Sequence, residues 1–135
     1  MRYDVTITVR GEQEYEDMGR DHTDLTADGT LADTPEGWTL SYDERETRTE
    51  FEIDTRRVVL RRSGELRSEM VFEVGETHTT VYEMPFGTLP MEVTTDGIRQ
   101  KLSARGGLLE IRYRVTVDGQ VRSKNSVKVQ VKRKI

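Results

Sequence analysis

The chain has 135 residues, no cysteine and a formal net charge of −4, which excludes disulfides, thiol catalysis and thiolate metal sites. Valine, leucine, isoleucine and phenylalanine sum to 31 residues, enough to hold the chain on the folded side of the composition boundary with one core. The opening MRYDVTITVRG carries no apolar leader, and no run approaches membrane-span length. The expectation is one cytoplasmic domain over residues 1–135 that needs no membrane.

Valine occurs fourteen times and threonine seventeen, against three alanines. β-Branched side chains favour pleated strands, where they pack without losing further χ1 freedom. The apolar spacing agrees. Tyr3, Val5, Ile7 and Val9 alternate with polar residues, as do Trp38, Leu40 and Tyr42. So do Leu109 to Val117 and, last, Val127, Val129 and Val131. Period-2 alternation places one face of each strand on a core and the other in water. The acidic stretch Glu12 to Asp17 reads as one helical turn at most.

Turn signals recur at Gly11, Asp28-Gly29, Glu36-Gly37, Ser63-Gly64, Gly75, Asp96-Gly97, Gly106-Gly107 and Asp118-Gly119. Their spacing predicts an all-β fold, a single antiparallel barrel or sandwich of roughly eight to ten strands with little or no helix. A two-residue Asp96-Gly97 turn would pair Thr95 with Ile98 and Met91 with Leu102, keeping both apolar sets on one face. Around Asp118-Gly119 that arithmetic fails, and a three-residue loop or a compensating bulge is expected, pairing Ile111 with Val127. Ser63-Gly64-Glu65 would align Val58 with Met70 and Leu60 with Ser68. Pro90, which lacks an N–H, is expected at a strand start or a bulge.

Charge is divided along the chain. Residues 1–98 hold 10 basic and 23 acidic side chains, and residues 99–135 hold 11 and 2. Lys124, Lys128, Lys132 and Lys134 share one parity and form an outward stripe, joined by Arg112 and Arg114. One reading is a surface for an acidic protein or RNA. The other is mutual satisfaction of acidic and basic strands across their pairs, and the acidic net charge argues against nucleic acid.

The inward phase of several strands ends in polar side chains. Tyr42 and Glu44 follow Trp38 and Leu40, while Arg62 follows Val58 and Leu60. Gln100, Tyr113 and Asn125 have the same inward phase. Together with Trp38 they form a candidate ligand-binding set in the barrel interior or at its mouth, for a small amphipathic molecule. The competing view has the β-strand leaving the rim, with Glu44 in water. Two separated histidines, His22 and His78, give no metal-ligand spacing. No nucleophile elbow or phosphate-cradling glycine loop is present, so neither a cofactor nor a metal is expected. A binding module is favoured over an enzyme, although Glu44 with Arg62 could serve catalysis.

Several landmarks in order resemble the YwiB-like family of small bacterial proteins of unknown function. They are Tyr42-Asp43-Glu44, Arg61-Arg62-Ser63-Gly64, Met70-Val71-Phe72-Glu73 and Tyr82-Glu83-Met84-Pro85-Phe86-Gly87. Leu89 to Thr95, Leu109 to Tyr113 and Asn125 complete the series. Glu83-Met84 stands where the resemblance leads one to expect a threonine before the proline. The resemblance implies a calycin-like, or lipocalin-like, β-barrel over the whole chain, and supplies no activity, substrate or catalytic residue.

Overall fold

The computed structural model describes residues 1–15, 19–64 and 67–134. Ten strands follow one another: β1 (Arg2–Tyr15), β2 (Gly19–Thr34), β3 (Gly37–Glu44), β4 (Thr47–Asp54) and β5 (Arg57–Gly64). Then come β6 (Ser68–Glu73), β7 (Thr77–Met84), β8 (Gly87–Ser103), β9 (Gly106–Val117) and β10 (Gln120–Arg133). Their order is β6-β5-β4-β3-β2-β1-β10-β9-β8-β7, with every neighbouring pair antiparallel. The expected all-β barrel is therefore the fold. Among the described residues no helix is long and apolar enough to cross a membrane.

The sheet curls until β6 and β7 meet. The seam is thin: Arg67 and Glu83 exchange two backbone hydrogen bonds of 3.3 and 3.0 Å. The Thr80 hydroxyl donates to the Glu69 carbonyl, and a His78 ring nitrogen lies 3.0 Å from a Glu73 carboxylate oxygen. Beneath the seam the Phe72 and Tyr113 rings pack at 4.8 Å. At the middle of the barrel, Leu40, Phe51, Phe72, Met91 and Leu109 are buried. Ten strands enclose a wider space than eight, and among the described residues Leu40, Phe51, Phe72 and Leu109 belong to one buried apolar cluster inside it.

Several turn signals prove to be strand interior. Gly11 lies within β1 and Asp28-Gly29 within β2. Gly29 is there because β2 and its neighbours approach closely. A Cβ at Gly29 would sit 2.3 Å from the Ser41 carbonyl oxygen and 2.4 Å from Ile7 Cδ1. Glu12–Tyr15 extends β1 and is not a helical turn; Glu16 and Asp17 lie outside the described residues.

Asp96-Gly97 is also not a hairpin. β8 runs straight through it, with a bulge between Thr95 and Gly97 opposite Tyr113 and Arg112. The inward set changes from Met91, Val93 and Thr95 to Ile98, Gln100 and Leu102, the same inversion of phase that a two-residue turn produces. Arg114 holds the Asp96 carboxylate at 2.9 Å, and the Arg112 guanidinium lies over Gly97. At Asp118-Gly119 both residues have positive φ, 52° and 76°, as a type I′ turn requires. The compensating bulge follows between Val121 and Ser123, and Ile111 pairs with Val127.

Beyond Ser63-Gly64 the phase is as expected and the register differs by two residues: Leu60 faces Met70 and Val58 faces Phe72. Pro90 sits inside β8, opposite Val81. Pairing with β9 begins only at Glu92, so Pro90 has a ladder on one flank alone, where a missing N–H is tolerated.

Replacing Gly29 with alanine forces backbone or Ile7 to move. The expected loss, read from urea unfolding, is about 1–3 kcal/mol, the usual range for overpacking.

Candidate functional site

Unequal strand lengths create the site. β2 pairs with β3 only between Gly29 and Thr34. Its first ten residues, Gly19 to Asp28, continue beyond β3 with β1 on one side and no ladder on the other among the described residues. This overhang stands across from the β3–β4 turn at Arg45-Glu46. Between them lies a cleft of about 820 Å³. Val9 and Leu25 supply an apolar wall; Tyr42, Thr49 and Arg62 line the opposite side, and Glu44 lies on the rim.

Register explains why those three converge. Tyr42 pairs with Thr49, Thr49 with Arg62, and Arg62 with Ser68. Directly opposed residues of antiparallel strands point to the same face, so four adjacent strands contribute one polar side chain each to a single interior row. Tyr42, Thr49 and Ser68 are buried, and Arg62 is half-buried. Burial raises the Tyr42 hydroxyl above its ordinary range. The Arg62 guanidinium and a hydrogen bond with Thr49 work against that shift, and Glu44 adds to it. Tyr42 is therefore a protonated hydroxyl at neutral pH, able to donate. Arg62 forms no ion pair among the described residues.

The other expected members separate. Tyr113 and Asn125 border a second depression, of about 820 Å³, with Glu12, Arg20, His22 and Lys124. Asn125 is buried and donates to the Ser123 hydroxyl at 3.0 Å. Trp38 lies at the far end of β3, half-buried, beside Asp54 and Arg57. Gln100 pairs with Leu109 past the β8 bulge and joins neither depression. The structure thus unites Tyr42, Glu44 and Arg62, and leaves Trp38 and Gln100 elsewhere.

Glu44 itself is exposed; it belongs to the rim and not to a buried pair. Parity alone could not show that the strand ends there. Val9, Thr23, Leu25 and Thr49 went unrecognised as lining. Thr23 and Leu25 were hidden because reading Asp28-Gly29 as a turn detached them from the β2 overhang. Among the described residues no three His, Asp or Glu side chains gather to hold a metal ion.

Two buried hydroxyls, Ser68 Oγ and Thr95 Oγ1, have no hydrogen-bond partner among the described residues. An unsatisfied buried polar atom is normally costly.

A family model described as a domain of unknown function, DUF1934, matches residues 7–129, from β1 into β10. The chain belongs to this DUF1934 family. The crystal structure of the ywiB protein from Bacillus subtilis aligns with a TM-score of 0.89 at 20% identity. The alignment covers 99% of this chain and 94% of that one. At that identity the likeness establishes the fold, and it agrees with the resemblance of the sequence landmarks. Among curated proteins none matches.

Within this DUF1934 domain, Glu44→Ala is expected to cost less than about 1 kcal/mol in urea unfolding, as exposed charges do. Thr95→Val, which is nearly isosteric, is expected to stabilise the protein by about 1 kcal/mol, because it removes an unsatisfied buried hydroxyl. A loss of that size would show that the hydroxyl is bonded in solution.

Proposed function

We propose that the protein is a non-enzymatic binding module that takes a small amphipathic molecule in the cleft at the barrel mouth. The observation that carries this reading is the union of an apolar wall, Val9 and Leu25, with convergent polar groups, Tyr42, Thr49 and Arg62. Small-molecule sites combine a mostly apolar surface with few orienting polar groups, in volumes of about 300–1,000 Å³. The cleft at the mouth falls in that range of volume, and Val9 and Leu25 give it an apolar wall. Two carboxylates paired for general acid–base work are missing from the reading, since Glu44 and Glu46 are both exposed.

The alternative is an outer surface for an acidic protein or RNA along the C-terminal strands. It is supported by Arg20, Arg112, Arg114 and Lys124 bordering the second depression. It is weakened because Arg114 is held by Asp96, Lys128 lies 3.8 Å from Glu110, and Lys134 lies 2.7 Å from Asp28.

The test uses 1-N-phenylnaphthylamine, an uncharged amphipathic fluorophore that brightens in apolar surroundings. One molecule is expected to bind per chain. Thr23→Trp, which fills the cleft from the β2 overhang, is expected to weaken binding about tenfold, a loss of about 1.4 kcal/mol, without lowering the melting temperature. Failure to bind, or binding indifferent to Thr23→Trp in the folded protein, would overturn the reading.

A further inference from the structure

The cleft also carries information about what kind of polar group its occupant bears. We infer that the ligand is a monoanion, one carboxylate or similar singly charged group on an apolar body, held by Arg62 with the Tyr42 hydroxyl. This rests on the binding reading above and names the class of ligand.

The polar groups along the row are all able to donate. Arg62 presents five N–H donors and accepts nothing, and the Tyr42 hydroxyl, which accepts from Thr49, keeps its own proton to donate. A carboxylate is the complementary partner for such a set, because an ionised acceptor makes shorter and stronger hydrogen bonds than a neutral one. Arg62 is half-buried yet has no carboxylate within ion-pair distance among the described residues. Its neighbour Arg61 is held by both Glu52, at 2.8 Å, and Glu69, at 3.0 Å. Two consecutive arginines on β5 thus have opposite fates: the outward one is doubly paired, the inward one is left for something else.

The rim limits the charge. Glu44, Glu46 and Asp24 stand around the opening with Arg45, and Asp24 is engaged by Arg10 at 3.1 Å. A single negative charge placed beside Arg62 meets a guanidinium with no ion-pair partner among the described residues, whereas a second, nearer the rim, meets the exposed carboxylates of Glu44 and Glu46. The arrangement therefore selects a monoanion over a diphosphate or a dicarboxylate. Val9, Leu25 and the Tyr42 ring accept the apolar remainder.

The experiment displaces 1-N-phenylnaphthylamine with octanoate, octan-1-ol, octylamine and suberate, which share one chain length and differ in charge. Octanoate is expected to bind about tenfold tighter than octan-1-ol, the scale of one charge-assisted contact, and tighter than suberate or octylamine. In Arg62→Gln that preference disappears while octan-1-ol affinity persists, which also reports that the cleft survives. Arg62→Lys is expected to keep part of the preference. Equal affinity for octanoate and octan-1-ol, or a preference unchanged in Arg62→Gln, would overturn the monoanion while the cleft reading stands. Displacement by none of the four would remove both.

Discussion

The mismatch in strand length is the constraint on which the molecule depends. β3 to β7 have six to eight residues each, whereas β1, β2, β8 and β10 have fourteen to seventeen. A barrel closed from strands of one length would be a cylinder with open ends. Here the long strands must project beyond the short ones, and the β1–β2 hairpin does so beside the mouth. The projection has a cost: among the described residues, part of β2 has a ladder on one side only, and such an edge invites association with another chain. Asp21, Asp24 and Asp28 lie along this unpaired stretch, and charge on an edge is the ordinary defence against that. The same projection supplies the second wall of the cleft.

Closure sets a second limit. β6 and β7 join through two backbone bonds and a few side chains rather than a continuous ladder. Burial of Phe72 against Tyr113 therefore does what hydrogen bonds do elsewhere in the sheet. Aromatic contact of this kind adds about 0.5–1.5 kcal/mol beyond area burial. Of the two hydroxyls without a partner among the described residues, Ser68 lies on β6 at the seam and Thr95 on β8, one strand beyond β7. The buried apolar cluster draws on both sides of the barrel, from Val5, Ile7, Leu109 and Val129 to Leu40, Phe51, Leu60 and Phe72.

Alternation made the fold legible. The inward phases of β1, β3, β9 and β10 could be read directly because each has four or more residues of clean period-2 pattern. Gly-containing dipeptides misled, and for one reason. Asp-Gly marks a turn when both residues need positive φ, as Asp118 and Gly119 do. A sequence does not distinguish that need from close approach of another strand, as at Gly29, or a guanidinium laid across the backbone, as at Gly97. At Asp96 a bulge and a turn invert phase identically, so the apolar pattern could not choose between them. The site was legible where residues share a row: Tyr42 and Arg62 converge because β3, β4 and β5 are consecutive hairpins. Trp38 and Gln100 have the inward phase but the wrong height, and height along a barrel is set by stagger between strands, which composition does not record.

The charge segregation along the chain resolves in space. β10 returns to pair with β1, bringing the basic C-terminal segment against the acidic first half, and Lys134 reaches Asp28 across more than a hundred positions. Arg114 and Lys128 find Asp96 and Glu110 in the same way on the outer face. Exposed pairs of this kind contribute little each, about 0–1 kcal/mol. Their arrangement satisfies the outer surface locally, strand against strand. Arg62 is outside that scheme, with the inward phase of β5 and no carboxylate within ion-pair distance among the described residues. A half-buried guanidinium left unpaired is unfavourable in a protein built only to fold. That cost is intelligible if Arg62 meets a ligand's charge at the mouth, beside the Tyr42 hydroxyl.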